Sequence, residues 1–127
     1  MIQAAEHSRM KWQIENQHLR VRIDEDELAR LLRGEVVEAR TRFAGAFVVH
    51  GELRLDSGDA PTLSGQADAW SIALPEAAVR AHAARLPSRD GLRYTLSGKH
   101  HEQALELLFD VDVRDSVGRR RAPASGS

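Results

Sequence analysis

The sequence predicts an α+β domain built on an antiparallel sheet of about six to eight strands. The sheet is twisted or half-barrelled, with two short helices on its apolar face. Three observations predict this. Apolar and polar residues alternate with period two in several separate segments, the signature of strands with one buried and one wetter face. Two other stretches carry apolar residues at helical spacing behind good helix starts. The chain has 127 residues, 42% hydrophobic and 29% charged, enough for one core but not two.

The elements follow in order. Residues 1–9 have no period and few large apolar groups, so they are expected to be a loose extension, with folding from Met10. A first strand runs through Trp12 and Ile14, and His18 to Ile23 alternates without a fault. Asp24 then caps a helix: Glu27 lies three residues on, and Ile23 and Leu28 take the hydrophobic-staple positions. Leu28, Leu31 and Leu32 form its buried stripe, and Gly34 ends it. Val37, Ala39, Thr41 and Phe43 alternate with Glu38, Arg40 and Arg42, and Leu53 and Leu55 alternate with Glu52, Arg54 and Asp56. Trp70, Ile72 and Leu74 make the next strand. A second helix starts at Pro75 and buries Val79, Ala83 and Leu86, with Pro87 just beyond. Leu92, Tyr94 and Leu96 lead to a last strand, Leu105 to Val113. The core is expected from the apolar members of these segments, Ile14 and Phe43 included. From Arg114 the composition turns small and polar, and residues 114–127, with Arg119-Arg120-Arg121, read as a disordered basic tail. The folded domain is thus 10–113.

Shifting the chain by 51 positions lays Leu19, Val21, Ile23, Glu25 and Leu28 on Trp70, Ile72, Leu74, Glu76 and Val79. Two ββαββ units would give that match, and so would convergent strand-to-helix patterning.

Charge and composition exclude several function classes. The formal net charge is −1, from 18 basic and 19 acidic residues, so no global nucleic-acid or membrane-surface footprint exists. There is no cysteine, which removes disulfide frameworks, zinc ribbons and thiol nucleophiles. No apolar run reaches the length of a membrane span, and the first residues lack a signal-peptide core, so a cytoplasmic setting is expected. The strong preference for Arg over Lys reads as GC-rich bacterial coding. No phosphate loop, dinucleotide fingerprint, nucleophile elbow, zincin helix or EF-hand loop is present.

The candidate site is the polar sheet face. It carries Arg20, Arg22, Arg40, Arg42 and Arg54, together with Glu38, His50, Glu52, Arg93, Glu106, Asp110 and Asp112. If the strands bearing the five arginines are neighbours, their guanidinium forks form an anion-binding patch suited to phosphate or carboxylate oxygens. If the arginines pair with Glu38 and Glu52, the face is a solvated lattice of ion pairs. Asp110 and Asp112, one pleat apart, are the residues that a hard cation would use, and His50 with His100 and His101 those that a transition metal would use. An acidic strand face and exposed turn histidines explain both patterns without metal. His82, at helical spacing from Val79 and Leu86, reads as a half-buried packing residue. No cofactor and no metal site are expected.

The opening Met10-Lys11-Trp12-Gln13-Ile14, then Asn16 and Leu19-Arg20-Val21-Arg22-Ile23, then Val36-Val37-Glu38-Ala39-Arg40-Thr41-Arg42-Phe43 after Gly34, resembles a small bacterial family, domain of unknown function 7009. The likeness thins after Phe47 to Ile72-Ala73-Leu74-Pro75 and Leu105-Glu106-Leu107-Leu108. The chain departs from the family pattern in its last strand and in having no cysteine. The resemblance implies a fold and a cytoplasmic bacterial setting, and no activity. The expected function is a non-enzymatic binding or accessory domain, whose partner is a protein or a small anionic ligand. The alternatives are a phosphate-ester site on the Arg-rich face and a metal-dependent enzyme.

Overall fold

A computed structural model describes residues 8–97, 100 and 103–113. The chain runs β1 (Lys11–Glu15), β2 (His18–Asp24), α1 (Glu25–Leu32), β3 (Val37–Phe43), β4 (Phe47–Asp56), β5 (Thr62–Gln66), β6 (Ala69–Pro75), α2 (Glu76–Ala84), β7 (Leu92–Leu96) and β8 (Leu105–Asp112). The fold is α+β with two helices, as expected. The strands, however, form two four-stranded sheets, ordered β1-β2-β8-β7 and β3-β4-β6-β5, and neither is purely antiparallel. In each sheet a parallel central pair, β2 with β8 or β4 with β6, is flanked by antiparallel hairpin partners. The single antiparallel sheet is therefore corrected to two mixed sheets, hereafter sheet A and sheet B. Alternation reports which face is buried, and a parallel pair with one covered face alternates just as an antiparallel one does.

The two sheets repeat one pairing scheme. Lys11↔Arg22 and Glu15↔His18 in β1–β2 become Thr62↔Ala73 and Gln66↔Ala69 in β5–β6 on adding 51 to each number. The parallel pairs also correspond, His18↔Glu106 with Ala69↔His50, although there the shift of 51 holds for His18 and Ala69 and not for the partner strands. Each ββαββ half sends its first hairpin to one sheet and its second to the other. Neither sheet can form from one half alone. β5, with the sequence TLSGQ, has a single large apolar residue and was not recognisable by alternation.

Local chemistry explains the helices. The Asp24 carboxylate accepts from Glu27 N–H at 2.8 Å, and Glu27 Oε1 accepts from Asp24 N–H at 3.1 Å, a complete capping box. Gly34, at φ +88°, donates to Leu31 O, and Glu35 N–H donates to Arg30 O, closing the helix with a Schellman turn that needs a left-handed residue. Glu27 has a second role. Its Oε2 accepts from Ser8 Oγ at 2.6 Å and from Arg9 N–H at 3.1 Å. Ser8 and Arg9 are therefore anchored, not loose, and Met10 is buried behind them. The remainder of the expected N-terminal extension and the expected basic tail lie outside the described residues.

The helices touch each other; α1 packs on β2 and β4, and α2 on β6 and β7. Between them and the sheets lie Val21, Ile23, Leu31, Val37, Leu53, Ile72, Leu74, Val79, Leu107 and Phe109, all essentially without solvent exposure. Each such side chain contributes about 1.5–3 kcal/mol relative to exposure. Two residues expected in the core are outside it: Ile14 is 64% exposed and Phe43 is 45% exposed. Both have core-facing parity, but each sits near the end of a hairpin, where the opposing layer no longer covers it.

Candidate functional site

The strand order divides the five candidate arginines. β2 lies beside β1 and β8, not beside β3 and β4, so Arg20 and Arg22 are on sheet A while Arg40, Arg42 and Arg54 are on sheet B. They do not form one patch.

On sheet A the parallel register sets Arg22 opposite Asp110, with Lys11 on its other side. Arg20 Nη2 donates to Asp110 Oδ2 at 2.6 Å, and Arg22 Nε lies 3.6 Å from Asp110 Oδ1. The Asp110 hydrogen bond raises the Arg20 pKa further above its usual value. Two guanidinium groups thus share one carboxylate. The Nε atoms of both arginines and Asp110 Oδ1 are buried without a hydrogen-bond partner. Beside this triad lies a saddle of about 540 Å³ lined by Gln13, Glu15, His18, Arg20, Arg93, Thr95 and Glu106. Thr95 Oγ1 donates to Glu106 Oε2 at 2.6 Å, while Arg93 meets no acid among the described residues.

On sheet B the arginines behave differently. Arg54 Nη1 donates to Glu52 Oε1 at 3.2 Å and to Ser71 Oγ, and Ser71 in turn donates to Glu52 at 3.0 Å. That guanidinium is committed. Arg40 faces His50 across the β3–β4 ladder, and His50 Nε2 lies 4.0 Å from Glu38 Oε1. Arg40 itself pairs with no acid among the described residues.

The metal candidates do not gather. Asp110 is taken by the two arginines, His100 is exposed and His101 lies outside the described residues. Among the described residues no three histidine or acidic side chains are placed to share an ion. His82 is more than half-buried: it is 2% exposed under α2, and burial, reinforced by Arg85 and opposed by Asp110, lowers its pKa.

A second surface was not read from the sequence. β1 ends one side of sheet A and β3 one side of sheet B. Between these edges runs a seam of about 640 Å³. Its walls are Met10 with Lys11 to Ile14 of β1, and Ala39 to Thr41 with Phe43 of β3; Val49, Gly51 and Trp70 lie beneath. Trp12 and Trp70 meet edge to face, with centroids 5.3 Å apart. The Trp12 ring lies flat enough on Gly51 that a Cβ there would stand 2.6 Å from Trp12 Cζ2. At the outer end Phe43 stacks on Phe47, centroids 4.8 Å apart. These rings flank a turn in which Ala44 (φ 53°) and Gly45 (φ 83°) are both left-handed and Ala46 N–H donates to Phe43 O at 2.8 Å, the type I′ geometry that suits a hairpin's twist. The aromatic pair across a short Ala-Gly turn was the available signal, but a period-two pattern assigns its apolar face to a core whether or not anything covers it.

No helix among the described residues is long and apolar enough to cross a membrane. No family model matches the chain, and no curated protein matches it.

Proposed function

We propose that this chain is a small non-enzymatic binding domain that acts through its surface, with the β1–β3 seam as the contact. One observation carries the reading: Ile14, Phe43 and Phe47, each at least 45% exposed, cluster beside two strand edges that no strand pairs among the described residues. Scattered exposed apolar residues are ordinary, but a contiguous apolar strip along an open edge marks a site of association. The test is selection of binders from a displayed random-peptide library. Both tryptophans of the chain line the seam, so a seam ligand shifts their emission. Enriched peptides should do so and should lose affinity in Phe43→Ser and Ile14→Ser variants. A library that yields no peptide with these properties overturns the reading.

A second reading, anion capture on sheet A, is favoured by Arg93, which meets no acid among the described residues, beside the Arg20–Asp110–Arg22 triad. It supersedes a single five-arginine patch, since only Arg20 and Arg22 of that set lie here. Thermal unfolding at low salt with inorganic phosphate, polyphosphate and dicarboxylates tests it. Saturation at 100 times Kd adds about 2.7 kcal/mol, and Arg93→Ala should abolish the shift. A flat response to all of them leaves the face as a solvated lattice.

A further inference from the structure

We propose that the β1–β3 seam receives an extended peptide segment of a partner protein in which apolar side chains alternate with acidic ones. This rests on the reading of the seam as the contact surface and names what fills it.

The backbone sets the form of the occupant. β3 is a regular edge of seven residues with no proline, and among the described residues its outer N–H and C=O groups face no strand. Such an edge pairs with another extended chain. A strand laid along it sends every second side chain inward, in step with Ala39, Thr41 and Phe43. Those side chains meet Trp12, Trp70 and Val49. Inward positions therefore take apolar groups.

Charge sets the intervening positions. Among the described residues, the only charged ones lining the seam are Lys11 on one wall and Arg40 on the other, and neither forms an ion pair there. Arg40 alternates with Ala39 and Thr41, so the outward side chains of a bound strand lie beside it, and Lys11 stands on the facing wall. Acidic residues there gain both contacts, and basic ones are repelled.

The repeated pairing scheme supplies a control within the molecule. The corresponding opening between β5 and β7 is lined by Gln17, Thr62, Leu63, Thr95, Leu96 and Gln103, among others, with no charged and no aromatic residue among the described residues. The cationic rim and aromatic floor belong to one opening, so they do not follow from the fold plan. A second copy pairing β3 to β3 would set Arg40 beside its counterpart, which the same charges disfavour.

The test uses two soluble seven-residue peptides with acetylated and amidated ends, Asp-Val-Glu-Leu-Asp-Val-Glu and its Lys-for-acid counterpart. A scrambled acidic peptide that clusters its apolar residues serves as the third probe. Binding to the full chain is followed by tryptophan emission and by amide shifts of β1 and β3. The acidic alternating peptide should saturate the signal, and the basic and scrambled peptides should bind at least about tenfold more weakly, or about 1.4 kcal/mol. The exposed double reversal Lys11→Glu/Arg40→Glu, checked for an unchanged unfolding midpoint, should invert the preference between acidic and basic peptides. Equal binding of the basic or scrambled peptide overturns the proposal but leaves the seam as a contact surface. Amide shifts confined to the saddle, lost in Arg93→Ala, also overturn it. Concentration-dependent dimerisation that protects the β3 amides would assign the seam to a second copy and overturn it too. If none of the three peptides binds, the proposal falls, and the library selection separately decides whether the seam binds anything.

Discussion

Replacing Gly51 by Ala tests how the two sheets meet. The new Cβ would lie 2.6 Å from Trp12 Cζ2, 2.9 Å from Cε2 and 3.2 Å from Cη2. Carbon atoms in contact prefer roughly 3.5–4.0 Å, so the ring must retreat by about 1 Å. Three atoms of one rigid ring are involved, so no flexible tail can swing aside, and Trp70 at 5.3 Å flanks the ring. Overpacking of this kind costs about 1–3 kcal/mol, and losing the edge-to-face pair accounts for about 0.5–1.5 kcal/mol of that. Alanine restricts the unfolded chain more than glycine, which returns about 0.4–1 kcal/mol. The net expectation is a loss of about 1–2 kcal/mol. In urea, with a slope of about 2 kcal/mol/M, the midpoint falls by roughly 0.5–1 M. Near-ultraviolet circular dichroism should lose the tryptophan-pair signal. The decisive control is the same substitution in a Trp12→Val background, where the clash is gone and the cost should vanish or reverse. An equal cost in both backgrounds, or none in the natural one, would refute the close approach of β1 to β4.

Three further outcomes are expected. Asp24→Ala removes the carboxylate that caps α1 at Glu27 N–H, and should cost about 1 kcal/mol in urea unfolding; Asp24→Asn should keep most of it. His82 has a lowered pKa in the folded state, so the unfolded chain binds its proton first as pH falls. Its contribution is therefore neutral above the ordinary histidine value of about 6.5 and destabilising from there down to the lowered folded value. The urea midpoint should drop as pH goes from 7 toward 5, less steeply in His82→Gln. Finally, chains cut in the 57–60 loop should each lack stable sheet by far-ultraviolet circular dichroism at low micromolar concentration. Mixing the halves should restore it, because each sheet takes one hairpin from each half.

Much of this molecule is determined by the sequence alone, where the physics is local. Period-two runs placed β2, β3, β4, β6, β7 and β8, because alternate residues of a strand face opposite ways whatever lies beside it. Asp24, Glu27 and Gly34 located both ends of α1, because caps act within one turn. The shift of 51 positions that aligned β2–α1 with β6–α2 proved to relate strand registers as well. Which strand neighbours which is set instead by packing between distant parts of the chain. Nothing in His18–Asp24 says that β8 rather than β3 lies beside it, so the sequence could not say that Arg20 and Arg22 share Asp110 while Arg54 turns to Glu52 and Ser71. Nor does alternation report where cover ends. Ile14 and Phe43 carry the parity of core residues and lie exposed at the seam, because a residue is buried by the layer opposite it, and that layer comes from distant parts of the chain.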